Sequence, residues 1–131
     1  MHFPVAVITD KPGASAVAEA LDMYRDDNED YLDDEVGENP YGEFDSYEVG
    51  GRFADSLMLL DGSTVSESAA CLVVDAPDVD AVVYRGEWLW AEQLCGSRTV
   101  RVAGDAAVSG IDLDGAYISI VDCRQKGRDA T

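Results

Sequence analysis

A chain of 131 residues, 47% hydrophobic and 27% charged, fits one domain that can bury roughly two-thirds of its unfolded surface without disulfide or metal staples. Its 27 Asp and Glu stand against nine Lys and Arg, giving a net charge of -18, a field that repels nucleic acid and anionic membranes and attracts basic surfaces and cations. No apolar run is long enough to span a bilayer, and the N-terminus turns polar at Thr9-Asp10 without a basic leader, so a cytoplasmic protein is expected.

Residues 3 to 8, with Val5, Val7 and Ile8, read as a buried first strand. Asp10 and Pro12 announce a helix, Asp10 as cap and Pro12 in its first turn. Ala14, Val17, Ala18, Leu21 and Tyr24 carry the helical repeat to about Asp26. From Asp26 to Glu38 every position except Tyr31, Leu32, Val36 and Gly37 is an acid or amide. So little apolar surface predicts a solvated helix extension or a loose loop. Setting Asp26, Asn28 and Asp30 as an EF-hand loop fails, because Tyr31 falls where Gly is needed and Gly37 where the bidentate Glu belongs.

Asn39-Pro40-Tyr41-Gly42 is a turn signal. The segment from Phe44 to Phe53 sets alternating aromatics around Gly50-Gly51, predicting backbone at positive φ with the rings turned inward. Arg52, beside Tyr47 and Phe53, is expected to form an internal salt bridge or stack on a ring. Leu57 to Leu60 reads as a short strand closed by Asp61-Gly62, and Cys71 to Val74 as a strand or buried segment stopped by Pro77. Ala81 to Tyr84 and Trp88 to Trp90 flank Arg85-Gly86-Glu87 as a hairpin would. The rival reading is a helix from Glu87 to Cys95 with Gly96 as its stop. Thr99 to Val102 alternates like an edge strand, Ala116 to Cys123 is rich enough in β-formers for a central strand, and the tail from Arg124 frays. These elements make an α+β domain over 1–131, an antiparallel sheet with one or two helices on one face, a ferredoxin-like arrangement being one candidate.

Chemistry is sparsely marked. Cys71, Cys95 and Cys123 are odd in number and lack metal-ligand spacing, so buried free thiols are expected. Pairing of the first and last strands would bring the single histidine, His2, near Cys123, with Asp122 on the opposite face. No carboxylate spacing singles out an acid/base pair, and Gly50-Gly51 lacks the Lys-Ser/Thr of a phosphate loop. No catalytic residue, cofactor or metal is expected.

Two segments together, Phe44-Asp45-Ser46-Tyr47-Glu48-Val49-Gly50-Gly51-Arg52-Phe53 and Val121-Asp122-Cys123-Arg124, resemble a family of uncharacterised bacteriophage and prophage proteins. That family carries a Trp-Asp-Trp-Tyr-x-Ile-Gly-Gly-Arg-Trp motif and a closing Val-Asp-Cys-His strand. Phe44, Ser46 and Phe53 stand at its tryptophan positions and Arg124 at its histidine. The resemblance implies a phage-related origin, an α+β fold, a structural role for Tyr47, Gly50, Gly51 and Arg52, and no activity.

The charge points to a binding protein. Asp26, Asp27, Glu29, Asp30, Asp33, Asp34, Glu35 and Glu38 would offer carboxylates to a Lys/Arg-lined groove of a host factor, such as a nucleic-acid-binding defence protein, in the manner of an anti-CRISPR inhibitor. The alternative is a structural or accessory phage protein whose acidity follows its host's proteome.

Overall fold

The computed structural model describes residues 1–31, 33, 39–104 and 110–125. Nine strands appear among them: β1 (His2–Thr9), β2 (Ser46–Val49), β3 (Leu57–Leu59), β4 (Thr64–Val65), β5 (Glu67–Ala69), β6 (Val73–Asp75), β7 (Ala81–Tyr84), β8 (Glu87–Trp90) and β9 (Tyr117–Arg124). Two short helices, α1 (Ala14–Leu21) and α2 (Ala91–Cys95), accompany them. The architecture is α+β, with a six-stranded mixed sheet in the order β2-β9-β1-β7-β8, β5 pairing on β9, and a three-stranded sheet in the order β4-β3-β6.

The first and last strands do pair, antiparallel along their whole length from His2 opposite Arg124 to Thr9 opposite Tyr117. The sheet is nevertheless not antiparallel throughout, because β7 joins β1 in parallel. The topology does not show the ferredoxin-like β-α-β-β-α-β order. Val5, Ala6, Val7 and Ile8 of β1 are all buried, and a strand apolar on both faces suits its inner place between β9 and β7 in a sheet covered on both sides.

One face, carrying Phe3, Val5, Val7, Ala81, Val83, Val121 and Cys123, packs on Val17 and Leu21 of α1 and on Tyr24, Phe44 and Trp88. The other face, with Ala6, Ile8, Val82, Ile118 and Ile120, packs on Leu57, Ala70, Ala76, Val79, Val100 and Val102. β9 is central as expected. Its outer edge is shared, β2 pairing with Val121 to Arg124 and β5 with Tyr117 to Ser119.

Several local expectations need correction. Asp10 does not cap α1. Gly13 is the N-cap, and its N–H donates to both carboxylate oxygens of Glu67 at 3.1 and 3.2 Å, a partner distant in sequence that periodicity cannot supply. The α-helix ends at Leu21, and a 3-10 turn from Asp22 to Tyr24 completes the segment expected to run to Asp26. The hairpin forms, β7 and β8 pairing across a turn at Arg85 and Gly86, both at positive φ; the rival helix does not begin at Glu87, which lies in β8, and only its second half exists as α2, Ala91 to Cys95, with Gly96 as its left-handed stop. Thr99 to Val102 is not a strand; Val100 makes one isolated bridge to Val79 while Val100 and Val102 are buried under the sheet. Cys71 and Cys95 are exposed and only Cys123 is buried, because Cys71 sits in a 3-10 turn outside the strand assigned to it and Cys95 at the open end of α2.

Candidate functional site

The acidic segment begins where the chain leaves the 3-10 turn at Tyr24, at the end of the sheet where β1 starts and β9 stops. Arg25 bridges to Phe44, and the Asp26 N–H donates to the Phe44 carbonyl at 2.8 Å. Two buried asparagines then shape the backbone. Asn28 donates through Nδ2 to the Asp22 carbonyl and accepts the Asp30 N–H on Oδ1. Asn39 donates to the carbonyls of Met23 and Arg25 and accepts the Tyr41 N–H. With the backbone held inward, Asp26, Asp27, Glu29, Asp30 and Asp33 are left exposed. Asp34, Glu35 and Glu38, expected in the same surface, lie outside the described residues.

Asp26 shows how strongly charge is concentrated there. Although the residue as a whole is exposed, partial burial of its carboxyl against Gly42, a hydrogen bond with Asp45, and the charges of Asp45, Glu43 and Asp27 push it up to about 6. The carboxyl occupies the space above Gly42, where a Cβ would lie 2.1 Å from Oδ1. Arg25 offsets the segment locally, pairing with Asp27 at 2.7 Å and more loosely with Asp22.

Beside this edge lies a hollow of about 500 Å³ lined by Glu43, Asp80, Trp90, Ala91, Glu92 and Arg98. The Trp90 ring is seated against Phe3 (5.8 Å between centroids) and, edge to face, against Trp88 (5.4 Å). Asp80 is half-buried, and desolvation raises its carboxyl despite the opposing charge of Arg98. None of these residues was singled out from sequence. The usable signal was the alternation Trp88-Leu89-Trp90, which sets both indoles on one face of a strand.

The glycine-arginine motif and the closing strand, separate in sequence, meet in space. Tyr47 packs edge-on to Phe44 with centroids 5.8 Å apart. At Gly50 (φ 79) and Gly51 (φ 50) the chain leaves β2, and the Arg52 N–H donates to Asp122 Oδ2 at 3.0 Å. The other oxygen of this buried carboxyl pairs with His2 Nδ1 at 2.9 Å. Two expectations are thereby corrected. Arg52 acts through its backbone, and its exposed guanidinium makes no ion pair or ring contact among the described residues. His2 meets Asp122, not Cys123, because strand alternation places Cys123 beside Phe3 on the opposite face. Burial, and secondarily the charge of Asp122, holds the Cys123 thiol well above its ordinary range, which suppresses the thiolate.

At the far end of the sheet, where the parallel strands β1 and β7 finish, a cavity of about 560 Å³ lies between Asp10, Lys11, Tyr84, Arg85, Asp112 and Asp114. The Asp112 N–H donates to Tyr84 Oη at 3.0 Å. Its walls carry Asp10, Glu19, Asp112 and Asp114 alongside Lys11 and Arg85. Among the described residues no three His, Cys, Asp or Glu side chains converge on a metal position, and no helix is long and apolar enough to cross a membrane.

No protein-family model, curated protein or solved structure matches the chain.

Proposed function

We propose that the chain is a non-enzymatic binding protein of phage-related origin, acting in the host cytoplasm, whose partner is a basic, nucleic-acid-binding surface of a host factor. The observation that carries the reading is the carboxyl density around Asp26: burial first, and then the hydrogen bond and charge of Asp45 with the charges of Glu43 and Asp27, push its carboxyl up to about 6. Asp27, Glu29, Asp30 and Asp33 extend that potential outward from an edge fixed by Asn28 and Asn39. A Lys/Arg-lined groove built for phosphates would be steered to such an edge and would gain contacts there at the expense of its nucleic acid.

The test is capture from host lysate by the wild-type protein and by a variant carrying Asp26→Asn, Asp27→Asn, Glu29→Gln, Asp30→Asn and Asp33→Asn. The captured protein should itself bind nucleic acid, be displaced by duplex DNA, and lose affinity by at least about tenfold between roughly 0.1 and 0.5 M salt. The variant should retain none of it. Capture that ignores salt, DNA and the amide substitutions would overturn the reading.

A further inference from the structure

The hollow beside the acidic edge has a composition that the charge argument alone does not require. It combines an indole from β8 with three carboxylates, Glu43 and Asp80 from the loops before β2 and β7 and Glu92 from α2. Trp90 cannot swing away, since Phe3 and Trp88 back it. Its N–H to Gln93 Oε1 bond, 2.7 Å, further fixes the backbone at the junction of β8 and α2. Asp80 is fixed as well: its N–H donates to the Pro4 carbonyl and its carbonyl accepts the Ala91 N–H, both at 2.9 Å.

We infer that this hollow is a seat for an arginine side chain of the basic partner, the guanidinium stacking on Trp90 and pairing with Asp80 and Glu92. The inference rests on the proposed function for the identity of the partner and adds to it the side chain that is read. The aromatic face attracts a cation, most of all where water is partly excluded, and a planar guanidinium can stack and form two parallel hydrogen bonds where an ammonium is only a point charge. The chain's own Arg98 already lines the hollow and lowers the cost of ionising Asp80. Burial still outweighs it and disfavours the ionised form, and a guanidinium brought beside Asp80 would favour that form in the same sense as Arg98.

The seat can be tested on the full chain without the partner. Nitrogen-labelled protein shows one indole signal each for Trp88 and Trp90, assigned with Trp90→Phe. N-acetyl-arginine amide, added at physiological ionic strength, should move the Trp90 signal saturably and leave Trp88 little changed. N-acetyl-lysine amide should bind more weakly, by about fivefold or more. Asp80→Asn should weaken the arginine response at least about threefold while the rest of the spectrum superposes on wild type, which reports that the fold is kept. A linear, unsaturable response, equal responses to arginine and lysine, or an unchanged response in Asp80→Asn would each overturn the seat. A deca-arginine peptide separates this from the broader reading. If its binding survives the five amide substitutions in the acidic run while Trp90 still answers the arginine amide, the acidic-edge reading fails and the seat stands. If the peptide needs the run but Trp90 stays silent to the arginine amide, the reverse holds.

Discussion

Asp26 is a carboxyl whose surroundings favour its neutral form, and the consequence for stability has a definite sign. In the unfolded chain it ionises at the ordinary 3.8, whereas in the folded protein burial and the pairing with Asp45 hold the proton to about 6. Between those values the folded state binds more protons, so stability is greatest below the unfolded value and is lost as pH rises through about 6. Asp26→Asn, which supplies a permanent neutral hydrogen-bonding group, should therefore raise the urea midpoint at pH 7.5, and the difference should shrink toward zero near pH 3.5. A variant less stable than wild type at pH 7.5 would mean that the ionised carboxylate holds a compensating contact. This one residue was named from sequence as part of a charged surface, but its coupling was not visible there. Asp45, its partner, sits in the aromatic-glycine motif and reaches Asp26 only because Arg25 and Phe44 bridge.

At the scale of elements, the chain's periodicity reported what is local and missed what is brought together by folding. The first strand, the last strand, the turn at Asn39 and the positive φ at Gly50 and Gly51 follow from residue type and spacing alone. The parallel pairing of β7 on β1 could not be read, since a buried apolar run looks the same in either direction. Nor could the Glu67 carboxylate that accepts from the Gly13 N–H ahead of α1, or the His2–Asp122–Arg52 clasp, each joining residues more than fifty positions apart. The clasp explains why the motif needs its second glycine. A Cβ at position 51 would lie 2.6 Å from both Cβ and Oδ2 of Asp122, a side chain held on both oxygens and unable to retreat, and φ there is +50. Gly51→Ala should cost about 2 to 4 kcal/mol in urea unfolding. Gly62→Ala, at φ +85 with open space around the added carbon, should cost only about 1 kcal/mol. Equal losses in the two variants would remove the clash with Asp122 from the account.

For the whole molecule, a net charge of -18 on 131 residues gives the compact state a self-repulsion that the extended chain relieves. Salt weakens that repulsion by shortening its range from about 10 Å at 0.1 M to about 3 Å at 1 M. The melting temperature should therefore climb with sodium chloride, by about 5 °C across that range, and calorimetry at constant pH reads it directly. A flat or falling curve would mean that the described ion pairs, Arg25 with Asp27 and Arg101 with Asp75 and Asp78, contribute more than the repulsion they relieve. The opposite salt dependences of folding and of binding then separate two origins of the acidity. Carboxylates retained only because a salt-rich or acid-leaning host favours them would make folding stronger in salt and leave no partner to lose. Carboxylates that imitate phosphates would produce both effects in one protein, stability rising while the complex dissociates. The five amide substitutions at Asp26, Asp27, Glu29, Asp30 and Asp33 should abolish the second effect and only weaken the first, because they remove part of the repulsion while most of the net charge of -18 remains.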